Sequence, residues 1–128
     1  MNILSRFRRS KSATKVTGSA LDAHFEYTNA IQQSSRGWRK NPKAKAKTVQ
    51  LCERQIGISE SAIKAWRSNY PVGKMPRHVG FQTLAMMREH DKDYGGSIEL
   101  CQTAKKHGWS GDWEKRISRC RAKAAKPR

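Results

Sequence analysis

Acidic residues are scarce in this chain. Asp and Glu number 10 of 128 residues, against 27 Lys and Arg, and the formal net charge is +17. A chain so unbalanced repels itself unless an anion neutralises it, and the usual anions are nucleic acid, an acidic partner or an anionic membrane. Long apolar runs are absent too. No stretch approaches the roughly 18 apolar residues that span a bilayer, and the start, "MNILSRFRRSKS", lacks the apolar core of a signal peptide. An intracellular protein without a membrane partner is therefore expected. The compartment would be the cytoplasm, on the nucleoid in a bacterium or in the nucleus of a eukaryote.

Cysteine is sparse and odd in number: Cys52, Cys101 and Cys120. That argues against a disulfide framework. Cys101, His107 and Cys120 lack the C-x-x-C pairs of compact zinc sites, so the cysteines read as small buried apolar residues. In "REHDKD", Glu89, His90, Asp91 and Asp93 are adjacent in sequence and would splay around a helix axis, which suits a solvated helix end better than a metal. There is no nucleophile elbow, no phosphate-cradling glycine loop and no H-E-x-x-H. No catalytic role, metal or cofactor is expected.

No convincing alternating strand is present. Six helical segments are predicted instead, about Ser19–Ser34, Thr48–Ile56, Ser59–Ser68, Gly80–His90, Ser97–His107 and Ser110–Lys123. Ser19, Thr48, Ser59 and Ser110 are their cap candidates. In the first segment Leu21, Phe25 and Ile31 are expected to face inward, with Tyr27 near the edge. In the last, Trp113, Ile117, Cys120 and Ala124 form a helical stripe. The expected fold is all-α, a small bundle of about five or six helices with basic flexible termini. Its expected organisation is a disordered basic arm over 1–18, a helical nucleic-acid-binding domain over 19–124 and a basic tail over 125–128.

The positive charge comes in blocks. Residues 1–18 carry Arg6, Arg8 and Arg9 with two lysines and no acid. "RGWRKNPKAKAK" (36–47) carries Arg39, Lys40, Lys43, Lys45 and Lys47, and its Asn41-Pro42 reads as a turn. The end from Lys115 onward is basic throughout. Such blocks suit phosphate clamping better than base reading, although each would also serve as a solvated linker.

Between the blocks lies "TVQLCERQIGISESAIKAWRSN" (48–69). Cys52, Ile56, Ile58, Ile63 and Trp66 are apolar at spacings that let two short helices pack around a corner. Gly57 offers a positive φ at that corner, and Ser59 offers a cap for the next helix. This stretch resembles the helix-turn-helix of transposase, phage terminase small-subunit and repressor DNA-binding domains, with the motif over 48–68. It departs from them at Glu53, where such motifs carry a small residue, so that carboxylate must turn outward or meet a cation.

The resemblance implies a second helix laid in the major groove. Glu60, Ser61, Lys64 and Ser68 would then face base edges, and Arg67 a phosphate. It also implies paired half-sites read by a homodimer, for which Trp113 and Ile117 of the last helix would supply the surface. The expected function is sequence-specific duplex DNA binding, as a small transcriptional regulator or an accessory factor of a phage, plasmid or other mobile element. Two alternatives stand beside it: a non-specific RNA-binding or nucleic-acid-packaging protein, and an inhibitor of another nucleic-acid-binding machine. "IELCQTAKKHGWSGDW" repeats the outline of Leu-Cys, glycine and a tryptophan-bearing helix, but places His107 and Glu114 where apolar residues should stand.

Overall fold

The computed structural model describes residues 16–126. Among them are six α-helices and no strand: α1 Val16–Ser34, α2 Pro42–Gly57, α3 Ser59–Asn69, α4 Val79–His90, α5 Tyr94–His107 and α6 Trp113–Ala125. The all-α expectation is met. The chain forms two compact units, one ending at Gly73 and the other beginning at Lys74.

In the first unit α2 and α3 both pack on α1 and touch each other far less. The buried stripe of α1 is Ala23, His24, Tyr27 and Ile31, with Leu21 at its margin. Phe25 is 43% exposed. The expected places of Phe25 and Tyr27 are thus exchanged, because a stripe through Tyr27 and Ile31 meets position 24 one turn earlier and leaves 25 about 100° off. The helix also begins at Val16, so Ser19 lies inside it and cannot be its cap, and 16–18 are helical rather than part of an arm.

α2 begins six residues before the expected Thr48. The Asn41 Oδ1 accepts the backbone N–H of Lys43 and of Ala44, each at 3.1 Å, and Pro42 occupies the first helical position. Asn-Pro is a helix start here, because proline at that position loses no hydrogen bond and has the right φ. The Lys-Ala run that follows consists of strong helix formers, so the basic stretch is an ordered ridge and not a linker. Thr48 is buried mid-helix instead, its hydroxyl 2.8 Å from that of Ser34.

In the second unit α5 packs on both α4 and α6. His78 caps α4, its Nδ1 accepting the Phe81 N–H at 2.9 Å. The Asp93 Oδ1 caps α5 through the Gly96 N–H at 3.0 Å, so that helix starts three residues before Ser97. The buried Ser97 hydroxyl donates instead to the Ala85 carbonyl on α4, at 2.8 Å. α6 starts at Trp113, not at Ser110, whose N–H bonds to the Pro76 carbonyl at 3.0 Å. Trp109, Trp113, Ile117, Cys101 and Cys120 are buried in this core, while Ala124 is exposed. Trp113 and Ile117 are therefore occupied within the unit and offer no surface to a second copy.

Candidate nucleic-acid interface

The corner between α2 and α3 is tight: Ile58 N–H bonds to Gln55 O at 3.2 Å, and Ala62 N–H to Ile58 O at 2.9 Å. Gly57 is the last residue of α2 and has no positive φ, and Ile58 makes the cap with φ −105°. A Cβ at Gly57 would meet nothing within 4 Å. The chain turns at Ile58 without the left-handed residue the motif leads one to expect. That conformation occurs in the second unit, where Gly108 has φ 95° and the N–H groups of Gly108 and Trp109 both bond to Ala104 O.

Ser59 is fully buried as the first residue of α3, so the cap position falls to Ile58, whose side chain cannot fill it. Of the expected motif core, Cys52 and Ile63 are buried, Ile56, Ile58 and Trp66 are half-buried, and Gly57 is exposed. Packing is completed by residues that the apolar spacing passed over: Leu51, Gln55, Ala62 and Ala65. The buried Gln55 amide donates to the His24 carbonyl at 2.8 Å and to the Thr28 hydroxyl at 2.8 Å, which ties α2 to α1. An amide with two protons and two oxygen partners satisfies its donors, so its burial costs little. Glu53 lies exposed and so needs no partner inside.

α3 turns Glu60, Ser61, Lys64, Arg67 and Ser68 to the surface, all five exposed. Their spacing of three and four residues gathers them on one side of the helix, opposite Ala62, Ile63 and Ala65. Trp66 stacks on Tyr70 beyond the helix end, with ring centroids 4.4 Å apart. Arg39, Lys40, Lys43 and Lys47 are exposed in the turn and first turns leading through α2. Lys45 is half-buried, its ammonium 5.8 Å from the Trp38 ring, and the Arg39 guanidinium lies 4.8 Å from the same ring. The buried Trp38 thus holds two of the cations by cation–π attraction. Arg6, Arg8 and Arg9 lie outside the described residues.

The second unit holds a charge cluster that no spacing signalled. Glu89 is 9% exposed and receives Arg116 Nη1 at 2.6 Å, Arg119 Nε at 2.6 Å and Nη2 at 2.9 Å, and Lys123 Nζ at 2.9 Å. The Arg119 bond, ahead of those from Lys123 and Arg116, holds its carboxyl down to about 2. Glu89 is thus engaged by α6, while Asp93 caps α5 and pairs with Arg88 at 3.1 Å. Among the described residues no three His, Cys, Asp or Glu side chains are placed to share a metal ion. Burial pushes the Cys101 thiol up to about 11, which keeps it a thiol at neutral pH. Among the described residues no helix is long and apolar enough to cross a membrane.

Comparison with protein-family models, with curated proteins and with solved structures finds no match to this chain.

Proposed function

We propose that the first unit is a helix-turn-helix reader of duplex DNA, serving a small regulator or an accessory factor of a mobile element. The observation that carries this reading is the exposed polar side of α3, in a three-helix unit that also holds exposed cations in the turn before α2 and in the first turns of α2. α3 has the role of the groove helix, and its first two turns present Glu60, Ser61 and Lys64. Lys64 can donate to guanine O6 or N7, Glu60 can accept from cytosine N4, and Ser61 suits several bases. Arg67 and Ser68 lie one turn further on, with Arg67 suited to a phosphate. Arg39, Lys40, Lys43 and Lys47 would lie along the backbone beside the groove, Lys45 less so because its ammonium already faces Trp38.

Selection from random duplex and random RNA pools at roughly physiological salt tests this, since non-specific binding is weak there. Enrichment of a short duplex motif that Lys64→Ala alters supports it; removing one base-reading side chain should cost about 1–3 kcal/mol of discrimination. Equal retention of every pool, released by salt alone, would sink it. The second reading, a sequence-independent packaging or RNA-binding protein, is favoured by one observation: exposed cations stand on both units and not on the first alone.

A further inference from the structure

No acid stands between Lys115 and Lys126, along α6 and the residue that ends it. Lys115, Arg119, Ala122 and Lys123 fall at i, i+4, i+7 and i+8, so they share one side of the helix, and all four are exposed; Lys126 follows as the extended residue that ends the helix. This side lies away from Trp113, Ile117 and Cys120, which fill the core. Beside it runs a groove of about 610 Å³ lined by Lys123 of α6, by Lys126 just past its end, and by Lys92, Asp93 and Tyr94 where the α4–α5 turn enters α5. Asp93 is engaged with Arg88 and with its own cap. Glu114, the one acid on α6, is paired with Lys105.

Glu89 anchors the stripe from below. One carboxylate is met by three cations, which leaves a surplus of positive charge at that point. It engages Nε and Nη2 of Arg119 and one ammonium hydrogen of Lys123, leaving the remaining donors of both for another acceptor. Both side chains are nearly half exposed, at 47% and 42%. They are held in place without being used up.

We propose that α6 and the α4–α5 turn form a second, sequence-independent contact surface for the phosphate backbone of a double helix, built from Lys92, Lys115, Arg119, Lys123 and Lys126. The helical part of the row, from Lys115 to Lys123, is about 12 Å long, the axial rise of roughly three to four phosphates of one strand, and Lys126 continues it past the helix end. A protein partner would need an apolar or aromatic anchor at the centre of its contact, and this side offers only Ser118 and Ala122 between its cations. A single strand would call for several aromatic platforms; the two tryptophans of this unit are buried, and the groove carries one ring, the half-buried Tyr94. Cations spaced along one helix, two of them held by Glu89, fit a regular backbone. This surface does not depend on whether α3 reads bases.

The test is a salt titration of the full chain binding a labelled 20-base-pair duplex of arbitrary sequence, with a single strand of equal length as the second arm. The variant is Lys92→Gln, Lys115→Gln and Lys126→Gln together. None of the three touches Glu89, all are exposed, and a thermal melt checks that the fold is kept. The slope of log affinity against log salt should become shallower by roughly two to three, at about 0.9 for each phosphate no longer neutralised, with the duplex held more tightly than the single strand by the unaltered chain. An unchanged slope overturns the proposal, as does failure of the unaltered chain to hold the duplex, or an equal weakening toward both nucleic acids. A shallower slope in a protein that enriches no motif would remove the base-reading role of α3 and leave this surface standing.

Discussion

Arg119 grips Glu89 through two nitrogens, Nε to Oε2 at 2.6 Å and Nη2 to Oε1 at 2.9 Å, and so joins α6 to α4 across a carboxylate that is almost wholly buried. Replacing Glu89 by Gln leaves three cations facing a neutral amide. Exposed pairs are worth up to about 1 kcal/mol and fully buried ones, when broken, cost about 3–5. Here the carboxylate is buried and two of its cations are half exposed, so Glu89→Gln should cost about 2 kcal/mol in a urea melt. A midpoint within error of the parent would show that solvent screens the cluster. The folded pKa of about 2 lies below the unfolded value near 4.5. The pair's contribution is therefore present above 4.5 and lost as pH falls from there toward 2.

His24 responds at milder acidity. It is buried in α1, its Nδ1 3.4 Å from the Gln55 amide nitrogen, and burial lowers its pKa from 6.5 to about 4. Between those values the unfolded chain binds the proton and the folded one does not. His24 therefore lowers stability as pH drops through 6.5 to 4, by on the order of 3 kcal/mol, and adds no further loss below. Amide NMR signals from 20–69 should be lost before those from 79–125 as pH is lowered from 7 to 4. The reverse order would mean that His24 protonates without cost.

The two helix-end glycines should respond oppositely to alanine. Gly57 has no positive φ and open space where a Cβ would go, so Gly57→Ala should stabilise by about 0.5 kcal/mol by reducing the freedom of the unfolded chain. Gly108 has φ 95°, so Gly108→Ala should cost about 1–2 kcal/mol. Paired thermal melts read both. A destabilised Gly57→Ala would mean that the corner needs a left-handed residue after all.

Asn41→Ala removes the acceptor for the Lys43 and Ala44 N–H groups and should cost about 1 kcal/mol. The first turn of α2 carries Lys43 and Lys45, so it would fray with its cations. Faster amide hydrogen exchange confined to 43–47 is the expected signature. Uniform exchange rates across α2 in parent and variant would show that Pro42 starts the helix alone.

The secondary-structure class was legible because its signals are local. Apolar residues at helical spacing, with Pro71, Gly73 and Pro76 interrupting, leave little but helices, and the fourth helix lies within a residue of where its pattern put it. Helix starts were harder. Asn41-Pro42 has one local meaning as a turn and another as a cap followed by a first helical residue. Only the ordered Lys-Ala helix behind it selects the second. Ser19, Thr48, Ser59, Ser97 and Ser110 all have the chemistry of a cap. Two of these serines are buried in packing instead, Ser59 in α3 and Ser97 on the Ala85 carbonyl.

From composition and order alone this chain is bound to be helical, strongly cationic and interrupted between helices by the proline–glycine loop around Pro71–Pro76, because propensity, charge and chain breaks are properties of short stretches; that two compact units lie on either side of it, and not one domain over 19–124, is a tertiary fact. The exposure of Glu60, Ser61, Lys64, Arg67 and Ser68 also follows from the period of the apolar residues beside them. What the tertiary structure alone decides is which polar groups go inside. Gln55 reaches His24 and Thr28 across about thirty residues of chain, and Glu89 meets Arg116, Arg119 and Lys123 across as many. A buried polar group is tolerable only when its partners arrive from elsewhere in the fold, and no local pattern records where those partners come from.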